Sequence, residues 1–203
     1  MKRLSTISAT HEAYKYIYGQ NLMFAKSSVH GESTFREDRA KEQAKAKPPE
    51  IQTIIDYSNE FLKILKMEPT LSPKTQLLNG KVENDFYEKL KKDKNLKDIR
   101  DIVWMKFTTD GYLGVVAVSA DINFDMPISE NEYNLKTIKG YWKYNTSGII
   151  IHKLGKEWDE SFALVFPLQN IPESLERGDI ECGIGNYLID KGIPILDYYS
   201  HRF

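Results

Sequence analysis

With 203 residues, 41% of them hydrophobic, the chain can build one large domain with its own core and is too apolar to be a disordered segment. Its 28 Lys and Arg against 29 Asp and Glu leave a formal charge of -1, so the basic excess of a dedicated nucleic-acid binder is missing and nucleic acid is not favoured as a partner. A single cysteine, Cys182, excludes an internal disulfide and fits a reducing compartment.

The first twenty residues start basic but carry no apolar core of a signal peptide. The longest apolar run, Leu113 to Ala120, is far short of the roughly 18–20 residues of a membrane span. A cytoplasmic protein with no membrane partner is expected. The abundance of Lys, Ile, Asn and Tyr suggests an AT-rich genome, that of a bacterium, phage or mobile element.

In "SATHEAYKYIYGQNLMFAK", Tyr14, Ile17, Tyr18, Leu22 and Ala25 keep helical spacing, and His30-Gly31 ends the pattern. The next segment, 32–47, is built of helix formers with almost no apolar surface. Its Glu32–Arg36 and Glu37–Lys41 pairs add roughly 0.2–0.5 kcal/mol each, too little for an isolated helix. It is expected to be a solvated helix or arm that docks on a protein partner. Pro48-Pro49 ends it. From Glu50 to Met67 runs the clearest helix, with Ile51, Ile54, Ile55, Phe61, Leu62 and Leu65 on one stripe. Pro69 and Pro73 read as its exit loop. A shorter helix is expected over 82–101, with Phe86 and Leu90 inward.

Beyond Asp101 the period changes from helical to alternating. "IVWMKF" and "YLGVVAVSADINF" read as two strands joined at Asp110-Gly111, which supplies the positive φ of a tight turn. "TIKGYWKYN" and "GIIIHKL" read as a second hairpin, with His152 a strand residue, and "SFALVFPL" as a further strand. A helix is expected from Pro172 to Gly192. "IPILDYY" would be a last strand, parallel to "SFALVFPL" by a right-handed crossover.

Four groups of residues carry candidate chemistry. Asp121, Asn123 and Asp125 match the first, third and fifth positions of a calcium loop, with Glu132 at the twelfth. Met126, however, followed by Pro127, stands at the sixth position where the loop needs glycine, and a strand leads in where a helix is required. An irregular site for Mg²⁺ or Ca²⁺ remains an option; a solvated strand end is the preferred reading. Near the start of the last helix lie Arg177, Asp179 and Glu181, and at the chain end Asp197, Tyr198 and His201. A carboxylate beside a histidine suits acid–base or metal chemistry, whereas Arg177 and Tyr198 suit binding. Trp142 and Lys143 in "GYWKYN" could stack a planar ligand or simply pack. Cys182 reads as a small core residue. The phosphate loop and the nucleophile elbow have no match in the chain.

These observations predict an α+β protein with an antiparallel sheet of about five strands within 101–168. Residues 1–100 would be mainly helical. Residues 101–203 would form the sheet core with a C-terminal helix and strand, all in one compact domain. The function expected is that of a binding or interaction protein. The alternative is a hydrolase or phosphotransfer-type enzyme, metal-dependent, using Asp197, His201, Asp179 and Glu181.

Overall fold

The structure, a computed structural model, describes residues 12–18, 33–78, 80–82, 101–120 and 146–197. The expected helix over 82–101, the segment "TIKGYWKYN", and Asp121, Asn123, Asp125, Glu132, Trp142, Lys143, Tyr198 and His201 lie outside the described residues, apart from Val82 and Asp101 at the ends of that helix. The fold is α+β around a five-stranded antiparallel sheet in the order β2-β1-β5-β3-β4. The strands are β1 (Lys74–Leu78), β2 (Lys81–Val82), β3 (Ile102–Phe107), β4 (Leu113–Ser119) and β5 (Phe162–Pro167). The helices are α1 (12–17), α2 (Ser33–Gln43), α3 (Ile51–Ile64), α4 (Thr146–Lys153) and α5 (Arg177–Asp190).

The apolar stripe of α3 is buried as its spacing predicts: Ile54, Phe61 and Leu62 are fully enclosed. They pack on α5, whose positions 179–185, 187 and 188 are all buried, so that α5 is a central helix held between α3 and the sheet. Gly183 allows that approach. A β-carbon there would lie 2.1 Å from Cζ of Phe61. From α1, Ala13, Tyr16 and Ile17 complete this layer, with the Tyr16 ring edge-on to Tyr187 at 4.9 Å.

The β3–β4 hairpin forms where the alternation places it, with Val103 opposite Val118 and Met105 opposite Val116. Its loop is three residues long. Thr108 N–H donates to the Tyr112 carbonyl at 2.9 Å, Gly111 N–H to the Thr108 carbonyl at 2.8 Å, and Gly111 takes φ 88. Only the glycine of the Asp110-Gly111 pair needs positive φ, because a three-residue loop combines an ordinary turn with one left-handed position.

Four expectations are corrected. "GIIIHKL" is not a strand: Thr146–Lys153 is helix α4, with Ile150 and Ile151 both buried and His152 exposed. The sheet is not confined to 101–168, and Val82 is a strand residue rather than the start of a helix, because Lys74–Leu78 and Lys81–Val82 form an edge hairpin with Gly80 in its turn at φ 72. The last helix begins at Arg177 rather than Pro172, with Glu176 as its cap. Finally, among the described residues after Gly192, 193–197, there is no regular strand. They make one parallel bridge, Ile195 to Leu113, at the β4 edge of the sheet. Their direction is still that of β5, since β4 and β5 both run antiparallel to β3.

Candidate functional site

The described candidate residues fall at two ends of the sheet. At one end, Asp101 precedes β3, Ser119 closes β4 opposite Ile102, and Pro167 closes β5. Here α5 starts. Glu176 and Asp179 form a reciprocal capping box, in which Glu176 N–H donates to Asp179 Oδ2 at 2.8 Å. The Arg177 guanidinium donates to Asp101 Oδ1 at 2.7 Å. Two residues beyond Asp179, Glu181 is enclosed in the protein, and burial pushes its carboxyl up to about 8. At neutral pH it is therefore mostly the uncharged acid.

Asp197 is at the other end. Its N–H donates to the Gly114 carbonyl at 2.9 Å, beside the first residues of β4 and the last of β3. The length of β3, six residues at roughly 3.3 Å each, separates this end from the α5 start. The structure therefore brings Arg177 and Asp179 together and leaves Asp197 apart from them. It also leaves Asp197 at the end of β4 away from Ser119, after which residues 121–125 follow. Around Asp197 the local charge comes from α2. Burial pushes the Arg39 guanidinium down, and the Asp197 carboxylate opposes that shift. Among the described residues, no group of three or more His, Cys, Asp and Glu side chains is placed to hold a metal ion.

Sequence reasoning missed a second buried constellation beside Gly114. Lys106 is 1% exposed. Alternation on β3 puts it on the same face as Trp104, and its Nζ lies 5.3 Å from the Trp104 ring centre and 5.2 Å from that of Trp158. Both distances allow a cation–π contact with an indole face. Trp158 reaches this position because an antiparallel bridge to Thr108 continues the pairing beyond β3. Gly114 leaves room for the ring, since a β-carbon there would lie 2.3 Å from Cζ3 of Trp158. One signal was available in "DIVWMKF": a lysine alternating with apolar residues in a strand that is apolar on both faces.

Tyr112, Val115, Ile151, Trp158 and Leu196 close around this cage, and Ala44, at the end of α2, packs against them. The Tyr112 hydroxyl lies 3.0 Å from the Ala44 carbonyl and 2.9 Å from that of Ala46. From α4, Lys153 Nζ pairs with Glu37 on α2 at 2.9 Å, and Lys41 reaches the same carboxylate at 2.8 Å. These two ammonium groups hold the Glu37 carboxyl down at about 2.

No family model matches the chain, and no curated protein or solved structure matches it either. No described helix is long and apolar enough to cross a membrane.

Proposed function

We propose that the protein acts by binding a protein partner, with α2 as the docking element. One observation carries this reading: α2 and the turn after it offer Asp38, Lys41, Glu42 and Lys45 as an exposed row of both signs, while Glu37 is already paired with Lys153 of α4 and the Ala44 carbonyl with the Tyr112 hydroxyl. A row of mixed charges selects a partner by complementary charge and sets the rate of encounter more than the affinity. The carboxylates of the enzymatic alternative give less support. Asp179 is engaged in a helix cap, Glu181 lies inside the protein, and Asp197 is at the far end of β3 from both.

Retention of a defined host protein by the wild-type chain, lost in Asp38→Lys/Glu42→Lys, is the expected result of affinity capture combined with light scattering. A strictly monomeric protein that retains nothing, or one that retains the same protein after charge reversal, overturns the reading. The alternative, metal-dependent hydrolysis, predicts a rise in melting temperature with Mg²⁺, Mn²⁺ or Ca²⁺ that Asp197→Ala removes.

A further inference from the structure

Tyr16 of α1 makes three kinds of contact with α3 and α5. Its ring stands edge-on to Phe61 at 6.1 Å and to Tyr187 at 4.9 Å. Its hydroxyl donates to Asp190 Oδ2 at 2.8 Å, and the Asn186 side-chain amide donates to its carbonyl. Ala13 and Ile17 are buried with it in the same core cluster, so positions 13, 16 and 17 form one inward stripe of α1. Contacts that leave α1 out join α3 directly to α5. Phe61 fills the space over Gly183, where a β-carbon would lie 2.1 Å from its Cζ. Lys191 Nζ lies 3.6 Å from Glu60 Oε1, and 5.0 and 5.4 Å from the ring centres of Tyr187 and Tyr57. The seat of α1 is thus built by α3 and α5 themselves, and a preformed seat has little ordering left to do on binding.

We propose that this face of α3 and α5 is a recognition site for a protein helix, and that α1 is its resident, autoinhibitory occupant. The helix it accepts carries a small residue, a tyrosine and a branched aliphatic residue at i, i+3 and i+4, as Ala13, Tyr16 and Ile17 do. That spacing is the one by which an amphipathic helix anchors in a groove. The tyrosine is read twice, its ring by two edge-on aromatics and its hydroxyl by the Asp190 carboxylate. Phenylalanine in its place keeps the first contact and loses the second. Because α1 belongs to the same chain, it competes at an effective concentration on the order of millimolar. A partner helix of this pattern therefore enters as α1 yields. The site involves none of the exposed charges of α2, so either reading stands if the other fails.

The probe is a fluorescein-labelled peptide of residues 8–22, added to the full chain and followed by fluorescence anisotropy. On the wild type it must displace α1 and binds weakly. On Tyr16→Ala, whose own α1 has lost its anchor, the apparent Kd is expected to fall by at least about tenfold, because the open fraction scales the affinity. Two controls read the hydroxyl. The peptide carrying Tyr16→Phe should bind Tyr16→Ala roughly tenfold more weakly than the unchanged peptide, and the unchanged peptide should lose as much on Tyr16→Ala/Asp190→Ala. If circular dichroism shows Tyr16→Ala to be unfolded, Tyr16→Phe replaces it, with a smaller gain over the wild type expected. Equal binding to the wild type and to the variant puts the peptide on some other surface. Binding to neither shows that α1 packs only as part of its own chain, and binding indifferent to Asp190 shows that the hydroxyl is not read. Each of these three results overturns the proposal.

Discussion

On one face of the sheet, Phe107 stacks on Phe162 at 5.2 Å, and Phe61 meets Tyr187 at 5.8 Å beneath α3 and α5. On the opposite face, the Lys106 ammonium lies near the Trp104 and Trp158 indoles, beside a cluster of Tyr112, Val115, Ile151 and Leu196 against which Ala44, just after α2, packs. Both faces exclude water, but by different means. The first relies on apolar area and close packing, which hold in any salt. The second has apolar clusters of its own and adds to them cation–π contacts at Lys106, the Tyr112 hydroxyl at two carbonyls and the Glu37–Lys153 pair, the last of which is weakened by salt. The contrast implies that salt acts on the ion pairs beside α2 and leaves the packing between α3 and α5 unchanged.

The largest effect is expected where the first face is tightest. Phe61→Ala should lower unfolding free energy by about 3–5 kcal/mol in urea denaturation. Gly183→Ala forces its methyl onto the same ring and costs about 1–3 kcal/mol in the wild type. In the Phe61→Ala background the methyl instead enters the space left by the ring, so the two losses should add to less than their sum. Strict additivity would mean that ring and glycine do not meet.

Glu181 qualifies the comparison, because it places a titratable group inside the apolar side. Burial raises its folded carboxyl from the ordinary 4.5 to about 8, so between these pH values the folded protein holds a proton that the unfolded chain has released. Stability is therefore complete below about pH 4.5 and is lost as pH rises toward about 8. Across pH 5 to 8 the loss should be on the order of 3–4 kcal/mol, and Glu181→Gln should remove this part of the slope. A wild-type curve as flat as that of the variant would refute the assignment. Gly114→Ala tests the second face: a methyl under Trp158 should cost about 1–3 kcal/mol in urea denaturation and change indole fluorescence.

The elements legible in the sequence are those whose local pattern and final environment agree. The stripe of α3 and the alternation of β3 and β4 lead directly to buried positions, and fold class follows from them. Helix α4 was misread because three consecutive isoleucines favour a strand. Ile150 and Ile151 would then point to opposite faces, whereas both are buried here, with half-buried Leu154 one helical turn beyond Ile150 and Ile151. The β1–β2 hairpin was missed although "LLNGKV" contains the Asn-Gly signal, because β2 has only two residues and shows no period of its own. For the site, Asp179 could have been read as a cap from its position three residues into the helix after Glu176. Lys106 was hidden by the rule that lysine belongs at the surface, a rule that fails when two aromatic rings replace water around the ammonium.

The smallest expected effect comes from a region that belongs to neither face. In β1 the burial alternates, so Leu77 is 7% exposed and its neighbour Leu78 is 67% exposed, opposite Val82 and Lys81 respectively. A strand side chain that faces solvent contributes little, so Leu78→Ser should change unfolding free energy by no more than about 0.5 kcal/mol. Leu77→Ser removes a side chain packed with Val165 and Ala163 and should cost several times as much. The pair is a register test, because a slip of one residue exchanges the inward and outward sets. If Leu78→Ser proves the more costly of the two, the hairpin is paired one residue out of place. If both are costly, a surface covers Leu78 in solution, and the edge strand rather than α2 becomes the first place to look for a bound partner.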